Sequence, residues 1–379
     1  VGLAPFELDA AAFADVLDEV VRAKVVAAGN AMPPGLAVLA TGGWGRRETC
    51  PYSDIDLLFL TATPPDDHVR ALAERVLYPL WDDGLEVGHA VRSTVEAIAL
   101  AADDLATATT LLDARLISGD AAVAAGLPGL LLGALARGGD TNPFIRRLVE
   151  EKQSRYRRFD NSLFLLEPNL KNGEGGLRDL SLGLWAARVR WRVPDFTALM
   201  AVGQISARQT TVLAAAADFL LRLRTVVHAT ARRRQDQLSF EVQEAVAPRL
   251  FPVSRLHPGE SRLAVAPAVE ELMRRYYLSA KTVVRETDRL LERAIVPPRR
   301  RPSIQRVDSS FTLWNRQLSV TDAEIFKERP AEMMRIFGSR SRPASLYMAI
   351  PRNGSPKSSP STGPVSWRMP LRRGTSSPC

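Results

Sequence analysis

The chain has 379 residues, 46% of them hydrophobic and 24% charged, which is enough for a sizeable core and about two domains. Its two cysteines, Cys50 and Cys379, are too few for a disulfide framework, so we expect a reducing, cytoplasmic environment. The net charge of +8 has one source, because residues 338–379 hold seven basic residues and no acidic ones, which leaves 8 − 7 = +1 for the remainder. A charge confined to one end gives little reason to expect a nucleic-acid partner. The longest apolar run, residues 121–136, is interrupted by glycine and proline and is shorter than the roughly 18–20 residues of a membrane span.

Residues 1–140 alternate short β-like runs with amphipathic helical patterns. The β-like runs are LAVLAT, IDLLFL and LEVGHAV, and the helical patterns include LDEVVRAKVVAA and VRALAERVLYPLW. This alternation predicts a small α/β domain. Residues 141–296 are almost wholly helical in pattern, which predicts a helical bundle. The expected fold class is therefore α+β.

The last part of the chain differs from the rest in amino-acid composition and in hydrophobic periodicity. Residues 297–337 begin with a Pro-Arg-rich linker and continue with a pattern that predicts a short hairpin and a helix, as a partial segment of a further domain. Residues 338–379 are rich in serine and proline and have no hydrophobic period, which predicts a disordered tail. The abrupt change resembles a frameshifted or truncated reading frame, and a natural short form is the open alternative.

A pair of carboxylates, Asp54 and Asp56, stands at the start of the run DIDLLFL. On a strand, side chains two positions apart project from the same face, so the two acids would lie together while Ile55 packs on the opposite face. Neighbouring carboxylates repel each other, and a cation relieves the repulsion. Mg²⁺ is the expected ion because it prefers carboxylate oxygens and also accepts substrate phosphates. A solvated Asp-x-Asp on a strand edge is the alternative.

The segment TGGWGR precedes the pair and provides flexible backbone. The N–H groups of Gly42, Gly43 and Gly45 can approach a triphosphate closely. Either Arg46 or Arg47 would add positive charge against the same phosphates. A Gly-Gly pair alone more often marks a turn, so the specific signal is the combination of this loop with the two aspartates.

The order Gly-Gly-x-Gly-Arg, a short spacer and Ser-Asp-x-Asp entering an apolar strand resembles the nucleotidyltransferase signature of the DNA polymerase β superfamily. The segment GGWGRRETCPYSDIDLLFL is most similar to the corresponding segment in the family of uridylyltransferases that modify the nitrogen-regulatory PII protein. Further stretches are similar to the same family, namely residues 80–93, 162–180 and 219–247. The resemblance therefore covers about residues 36–337.

The resemblance implies that residues 1–140 form a polymerase β-type nucleotidyltransferase domain. Such a domain would transfer UMP from UTP to a tyrosine of PII and release pyrophosphate. In it, Asp54 and Asp56 would bind two Mg²⁺ ions, and Ser53 with the glycine backbone would hold phosphate.

Nucleotidyl transfer of this type also implies a third acid on a neighbouring strand. Glu86, in LEVGHAV, is the first candidate, although an exposed strand carboxylate explains it equally well. Asp104 is the second candidate. In the segment NLKNGEGGLRDL, Lys171 and Arg178 would hold phosphate or the protein substrate, and a loop that only connects helices is the alternative.

Full-length members of this family also carry a hydrolytic domain with His-Asp dyads and a pair of ACT domains. None of the four histidines of this chain is followed by aspartate. We therefore expect neither uridylyl removal nor glutamine sensing. Two other functions remain open: adenylyl transfer to glutamine synthetase or a related protein, and an inactive fragment that binds nucleotide or PII.

Overall fold

The computed structural model describes residues 10–29, 32–136, 139–159, 162–251, 266–295, 304–306, 308–314, 317–320 and 328–331. Residues Val1–Val296 belong to one compact unit and Pro297–Cys379 to a second. The predicted disordered tail and the Pro-Arg-rich linker lie outside the described residues. Within the described ranges, no helix is long and apolar enough to cross a membrane.

A four-stranded mixed sheet forms the first part of the first unit. Its strands are β1 (Leu36–Thr41), β2 (Ile55–Thr61), β3 (Val87–Ser93) and β4 (Arg115–Gly119), in the spatial order β3-β2-β1-β4. Strand β1 is antiparallel to β2 and β4, and β2 is parallel to β3. The three predicted β-like runs coincide with β1, β2 and β3. Strand β4 was missed because its five residues are mostly half-exposed and lack an apolar alternation.

The described helices follow the predicted change from mixed to helical structure. Around the sheet lie α1 (Ala10–Ala28), α2 (Gly42–Gly45), α3 (Asp67–Asp82), α4 (Thr94–Asp103), α5 (Leu105–Leu112) and α6 (Ala121–Leu135). The helical region contains α7 (Asn142–Arg158), α8 (Leu177–Trp191), α9 (Phe196–Ala201), α10 (Ala207–Ala231), α11 (Phe240–Leu250) and α12 (Ala266–Ala294). The predicted α+β fold class is confirmed.

The two faces of the sheet pack against different helices. One face, which includes Ile55 and Phe59, packs against α1 and α3. The other face, which includes Leu58 and Leu60, packs against α4 to α6 and also against α7, α8 and α12. This division follows the two-residue period of a strand. Because Asp56 is in phase with Leu58 and Leu60, its side chain lies on the face that the helical region covers.

A further apolar cluster joins the helical region internally. It combines residues of α8, α10, α11 and α12, with Leu220, Leu272 and Tyr276 fully buried at its centre. Helices α8 and α12 also contribute to the cluster under the sheet. The same helices therefore connect the sheet to the remainder of the first unit.

The second unit contains a small antiparallel sheet in its described residues. Strands β5 (Ile304–Arg306), β6 (Phe311–Trp314) and β7 (Gln317–Val320) are adjacent in that order. The β6–β7 pair is the hairpin predicted for this stretch. The helix predicted after it falls mostly outside the described residues.

Candidate active site

A cleft with a volume of about 310 Å³ lies where the turn after β1, the segment before β2 and the helical region meet. Most of the predicted site residues line this cleft, namely Gly42, Gly43, Arg46, Ser53, Asp54 and Asp56. Gly45 and Glu86 are not part of the lining. Residues far apart in the chain therefore contribute to one concave surface, as expected of a ligand site.

The carboxylate of Asp56 lies against glycine backbone on both sides. Asp56 pairs with Gly88 of β3, and a methyl group at Gly88 would lie 2.5 Å from Oδ1 of Asp56. A methyl group at Gly42 would lie 3.1 Å from Oδ2. Burial raises the pKa of Asp56, and the neighbouring charge of Asp54 raises it further. The predicted proximity of the two acids is therefore present, and it disfavours the ionised pair in the absence of a cation.

Asp54 lies nearer the solvent and forms an ion pair. Its Oδ2 is 3.2 Å from Nη1 of Arg234, and both side chains are more than one-third exposed. An exposed pair of this kind contributes little to stability. Arg234 is thus a cation beside the candidate metal ligands, and nothing in the local sequence distinguished it from the arginines around it.

The acid pair has the donor chemistry of a site for a divalent cation. Two carboxylates share one side of an open cleft, and cation binding would relieve their repulsion. Within the described residues, no group of three or more His, Cys, Asp or Glu side chains has a metal-binding arrangement. The ligands of a metal held by Asp54 and Asp56 would include substrate oxygens and water.

The two candidates for a third acid lie outside the cleft lining. Glu86 is exposed, directly before β3, and its backbone carbonyl accepts the N–H of Ile55 at 2.9 Å. Asp104 is the N-cap of α5, where it accepts the N–H of Thr107 at 2.6 Å. Hydrogen bonds from the Thr107 side chain and then from its backbone N–H lower the pKa of Asp104. Asp104 therefore has a structural role as a helix cap. That Glu86 is the third acid of the reaction stays a prediction.

Gly45 and Arg46 connect the glycine loop to the residue after α5. A side chain at Gly45 would collide with the backbone carbonyl of Asp113, so glycine permits a close approach there. Arg46 forms ion pairs with Glu48, at 2.7 Å, and with Asp113. Burial alone would lower the pKa of Arg46, but these two carboxylates outweigh burial and raise it. Arg46 is consequently held by protein carboxylates although it lines the cleft.

Asp113 also connects the loop to the helical region. Its Oδ1 accepts hydrogen bonds from Nε1 of Trp185, at 2.9 Å, and from Nη1 of Arg188, at 2.7 Å. The carboxylate is fully enclosed, and burial raises its pKa against the opposing effect of the two arginines. Asp113 was not predicted as a site residue because its partners come from α8, more than sixty positions away.

Helix α10 supports the segment between the glycine loop and the aspartates. Thr225 donates a hydrogen bond to Sγ of buried Cys50 at 3.4 Å, and Nδ1–H of His228 donates to the carbonyl of Pro51 at 2.6 Å. The N–H of Ser53 donates to the carbonyl of Cys50 at 3.1 Å. The hydroxyls of Ser53 and Thr49 are buried without a hydrogen-bond partner among the described residues, and both residues line the cleft.

Comparisons with known proteins relate this chain to one family. Residues 143–291 match the family model described as GlnD PII-uridylyltransferase. The bifunctional uridylyltransferase/uridylyl-removing enzyme of Bradyrhizobium diazoefficiens is 34% identical over 346 residues, which is 85% of this chain and 36% of that enzyme. The enzymes of the same name from Nitrobacter hamburgensis and Rhodospirillum rubrum are 35% and 37% identical, over 80% of this chain in each case and 33% and 32% of the relatives.

This chain is a relative of the PII-uridylyltransferase family. The resemblance predicted from the sequence motifs is confirmed. The chain spans about a third of the length of the curated relatives that it matches. The family model covers α8 and α10, and both helices contribute residues to the cleft lining.

Proposed function

We propose that this chain acts in the cytoplasm as a nucleotidyltransferase that moves UMP from UTP to a tyrosine hydroxyl of the PII protein and releases pyrophosphate. The observation that supports the proposal most directly is the placement of Asp54 and Asp56 together in a cleft beside the Gly42–Gly43 backbone. The relatives' name includes both transfer and removal of the uridylyl group. Transfer is the activity whose chemistry this carboxylate-and-glycine cleft matches.

In the proposed reaction the tyrosine oxygen attacks the α-phosphorus of UTP. The bond from the α-phosphorus to the bridging oxygen breaks, pyrophosphate leaves with the electron pair, and the hydroxyl proton passes to solvent. Mg²⁺ held by Asp54 and Asp56 would neutralise phosphate charge. Ser53, whose buried hydroxyl has no hydrogen-bond partner among the described residues, would donate a hydrogen bond to a phosphate oxygen.

The test is transfer of label from α-labelled UTP to purified PII in the presence of Mg²⁺, with ATP and glutamine synthetase in a parallel reaction. We expect uridylylated PII from the wild-type chain and loss of most activity in Asp54→Asn and in Asp56→Asn. Asp82→Asn, an exposed acid at the end of α3, is the matched control and should retain activity. Near-wild-type turnover in both Asn variants would exclude the metal assignment, and label transfer only from ATP would replace uridylyl by adenylyl transfer.

A further inference from the structure

The helical region places three cationic side chains in the cleft that still have hydrogen-bond donors without a protein partner among the described residues. Lys171, Arg178 and Arg224 line the same cleft as Gly42 and Gly43. Within the described residues, no side chain forms an ion pair or hydrogen bond with the Lys171 amine or the Arg178 guanidinium. Arg224 donates through Nε to Asp236 at 2.7 Å, but its Nη2 is buried without a partner. Donor groups from three segments are therefore available on one surface.

Other cationic side chains close to the cleft differ in this respect. Arg46 is bound by Glu48 and Asp113, and Arg188 is bound by Asp113 at 2.7 Å. These arginines have structural partners of opposite charge. Lys171 and Arg178 have no such carboxylate partner in the described ranges. Arg224 is intermediate, because it is paired with Asp236 but keeps Nη2 without a partner.

The segment that carries Lys171 is fixed in place. Oδ1 of Asn169 accepts the backbone N–H groups of Lys171, at 3.1 Å, and Asn172, at 2.8 Å. The N–H of Arg178 donates to the carbonyl of Lys171 at 2.9 Å. Gly175 has a φ of +77°, and a side chain there would collide with Ala280 of α12. The positions of Lys171 and Arg178 relative to each other are thus set by the backbone.

The buried carboxylate of Asp179 and the ring of Trp185 also hold the segment that carries Lys171 and Arg178. Asp179, fully buried, accepts hydrogen bonds from Arg155 at 2.6 Å, from the N–H of Gly175 at 2.9 Å, and from the Tyr156 hydroxyl. The guanidinium of Arg178 lies over the ring of Trp185, 5.5 Å from its centroid. The cations are therefore preorganised, which lowers the entropy cost of binding a ligand.

Their chemistry selects a ligand with several anionic oxygens. Burying a cation without a counter-charge is unfavourable, and burial lowers the pKa of both Lys171 and Arg178, with neighbouring arginines adding to the effect. A single carboxylate would satisfy one cation, whereas a polyphosphate would contact all three. Arginine and lysine are also the side chains that bind phosphate most strongly.

We propose that Lys171, Arg178 and Arg224 form a polyphosphate wall that binds the β- and γ-phosphates of the nucleotide, and thus the pyrophosphate that leaves. The wall lines the same cleft as the Asp54–Asp56 pair, so the triphosphate would contact both the protein cations and a metal ion held by the acids. The proposal rests on the proposed function for the identity of the nucleotide. Binding of pyrophosphate itself tests the wall without requiring any transfer.

The experiment is calorimetric titration of the full chain with pyrophosphate in the presence of Mg²⁺. Lys171→Gln and Arg178→Gln each remove one charge-assisted contact, and we expect each to weaken binding by at least about tenfold. Arg222→Gln is the matched control, because Arg222 lies on α10 two positions from Arg224 but is exposed and paired with Asp218 at 3.1 Å. The control should bind pyrophosphate as the wild type does. Thermal melting verifies that each variant is folded, and Lys171→Arg should recover part of the affinity.

The outcomes separate the wall from the transfer reaction. Unchanged pyrophosphate affinity in both Lys171→Gln and Arg178→Gln would overturn the wall, and a raised KM for PII in those variants would then assign the cations to the protein substrate. An equal loss in Arg222→Gln would show a nonspecific charge effect and would also overturn it. Loss of pyrophosphate binding in the wall variants, combined with no uridylyl transfer by the wild type, would support the wall while refuting the proposed function.

Discussion

Gly88 determines how much space the Asp56 carboxylate has. The two residues face each other in the parallel β2–β3 pair, and a methyl group at Gly88 would lie 2.5 Å from Oδ1 of Asp56. The sequence contains LEVGHAV but not the register, so the requirement for glycine became visible only when β3 was placed beside β2. Gly88 is a residue that matters to the site without carrying any reactive group.

We predict that Gly88→Ala lowers uridylyl transfer by about tenfold to a hundredfold, because a displacement of a ligand by an ångström or less is costly in an active site. The melting temperature should change little, since the colliding atom is the end of a side chain. The measurement is the transfer rate at saturating UTP together with a thermal melt. Gly133→Ala is the control, because the added methyl group enters open space on α6 and should leave transfer unaffected. Equal rates for both variants would contradict the prediction.

Asp56→Asn should stabilise the protein in the absence of metal, and the effect should depend on pH. The folded state raises the pKa of Asp56 above its ordinary value of 3.8, so the ionised carboxylate destabilises the fold at higher pH. The variant should therefore unfold at a higher urea concentration than the wild type at neutral pH. The difference should disappear as the pH falls below 3.8, where the carboxylate is protonated in both states. A lower unfolding midpoint at neutral pH would show that a stabilising contact had been overlooked.

Substitution of Glu86 tests whether this residue is the predicted third acid. The β2–β3 register pairs Ile55 with Val87, so Glu86 lies one position before that pair, as Asp54 does on its own strand. If Glu86 acts in the reaction, Glu86→Gln should reduce transfer as strongly as Asp56→Asn while the unfolding midpoint stays constant. We predict this reduction, and single-turnover assays would measure it. A wild-type rate would identify Glu86 as an ordinary exposed strand carboxylate.

At the level of elements, the first turn of α8 depends on a buried charge network. Asp179 has no exposed surface and accepts hydrogen bonds from Arg155 and Tyr156 of α7. Burial, followed by the charge of Asp179, raises the pKa of Tyr156, which keeps its hydroxyl a donor at all working pH values. The network connects α7 to the loop that carries Lys171.

We predict that Asp179→Ala destabilises the protein by about 3 kcal/mol, because buried Arg155 loses its shorter ion pair, at 2.6 Å, and keeps only the pair with Glu151 at 3.3 Å. Urea unfolding measures the loss. Asp218→Ala removes a carboxylate from an exposed pair with Arg222 and should cost no more than about 1 kcal/mol. Comparable losses in the two variants would mean that the α7–α8 network is not an important contribution to stability.

The elements differ in how well local sequence predicts them. Strands β1 and β2 are apolar runs that local sequence predicts well, and the two-residue period of β2 places Asp56 on the sheet face that the helical region covers. Strand β4 is short and half-exposed, and its pairing with β1 depends on tertiary contacts. The cleft wall from the helical region was predicted only in part. Lys171 and Arg178 stand in a glycine-rich motif, whereas Arg224 lies within an arginine-rich helix whose pattern gives no signal of its position.

At the scale of the whole molecule, one apolar core includes residues from both sides of the predicted boundary between the α/β region, residues 1–140, and the helical region, residues 141–296. The cluster under the sheet combines Leu39 and Leu58 of the strands with Leu182 and Trp185 of α8. Polar contacts cross at the same place, since Trp185 donates a hydrogen bond to buried Asp113. Removal of the helical region would therefore uncover the part of this sheet face that α7, α8 and α12 cover, and that exposure carries a cost of about 25 cal/mol for each Å² of apolar surface.

We predict accordingly that residues 1–140 and 141–296 do not fold as separate fragments, whereas residues 1–296 do. The 1–296 fragment keeps every helix that covers the sheet and corresponds to the first compact unit, so it should melt in one cooperative transition.

The 1–140 fragment retains the Asp54–Asp56 pair but loses the contacts that Trp185, Arg188 and His228 make with the segments around it. It should therefore aggregate or melt without cooperativity, and co-expression with 141–296 should restore part of the cooperative transition. Circular dichroism melts and size-exclusion chromatography measure these outcomes. A cooperative transition of the isolated 1–140 fragment at the melting temperature of 1–296 would show that the sheet domain is stable without the helices, and that the second wall of the cleft is an addition to a self-sufficient fold.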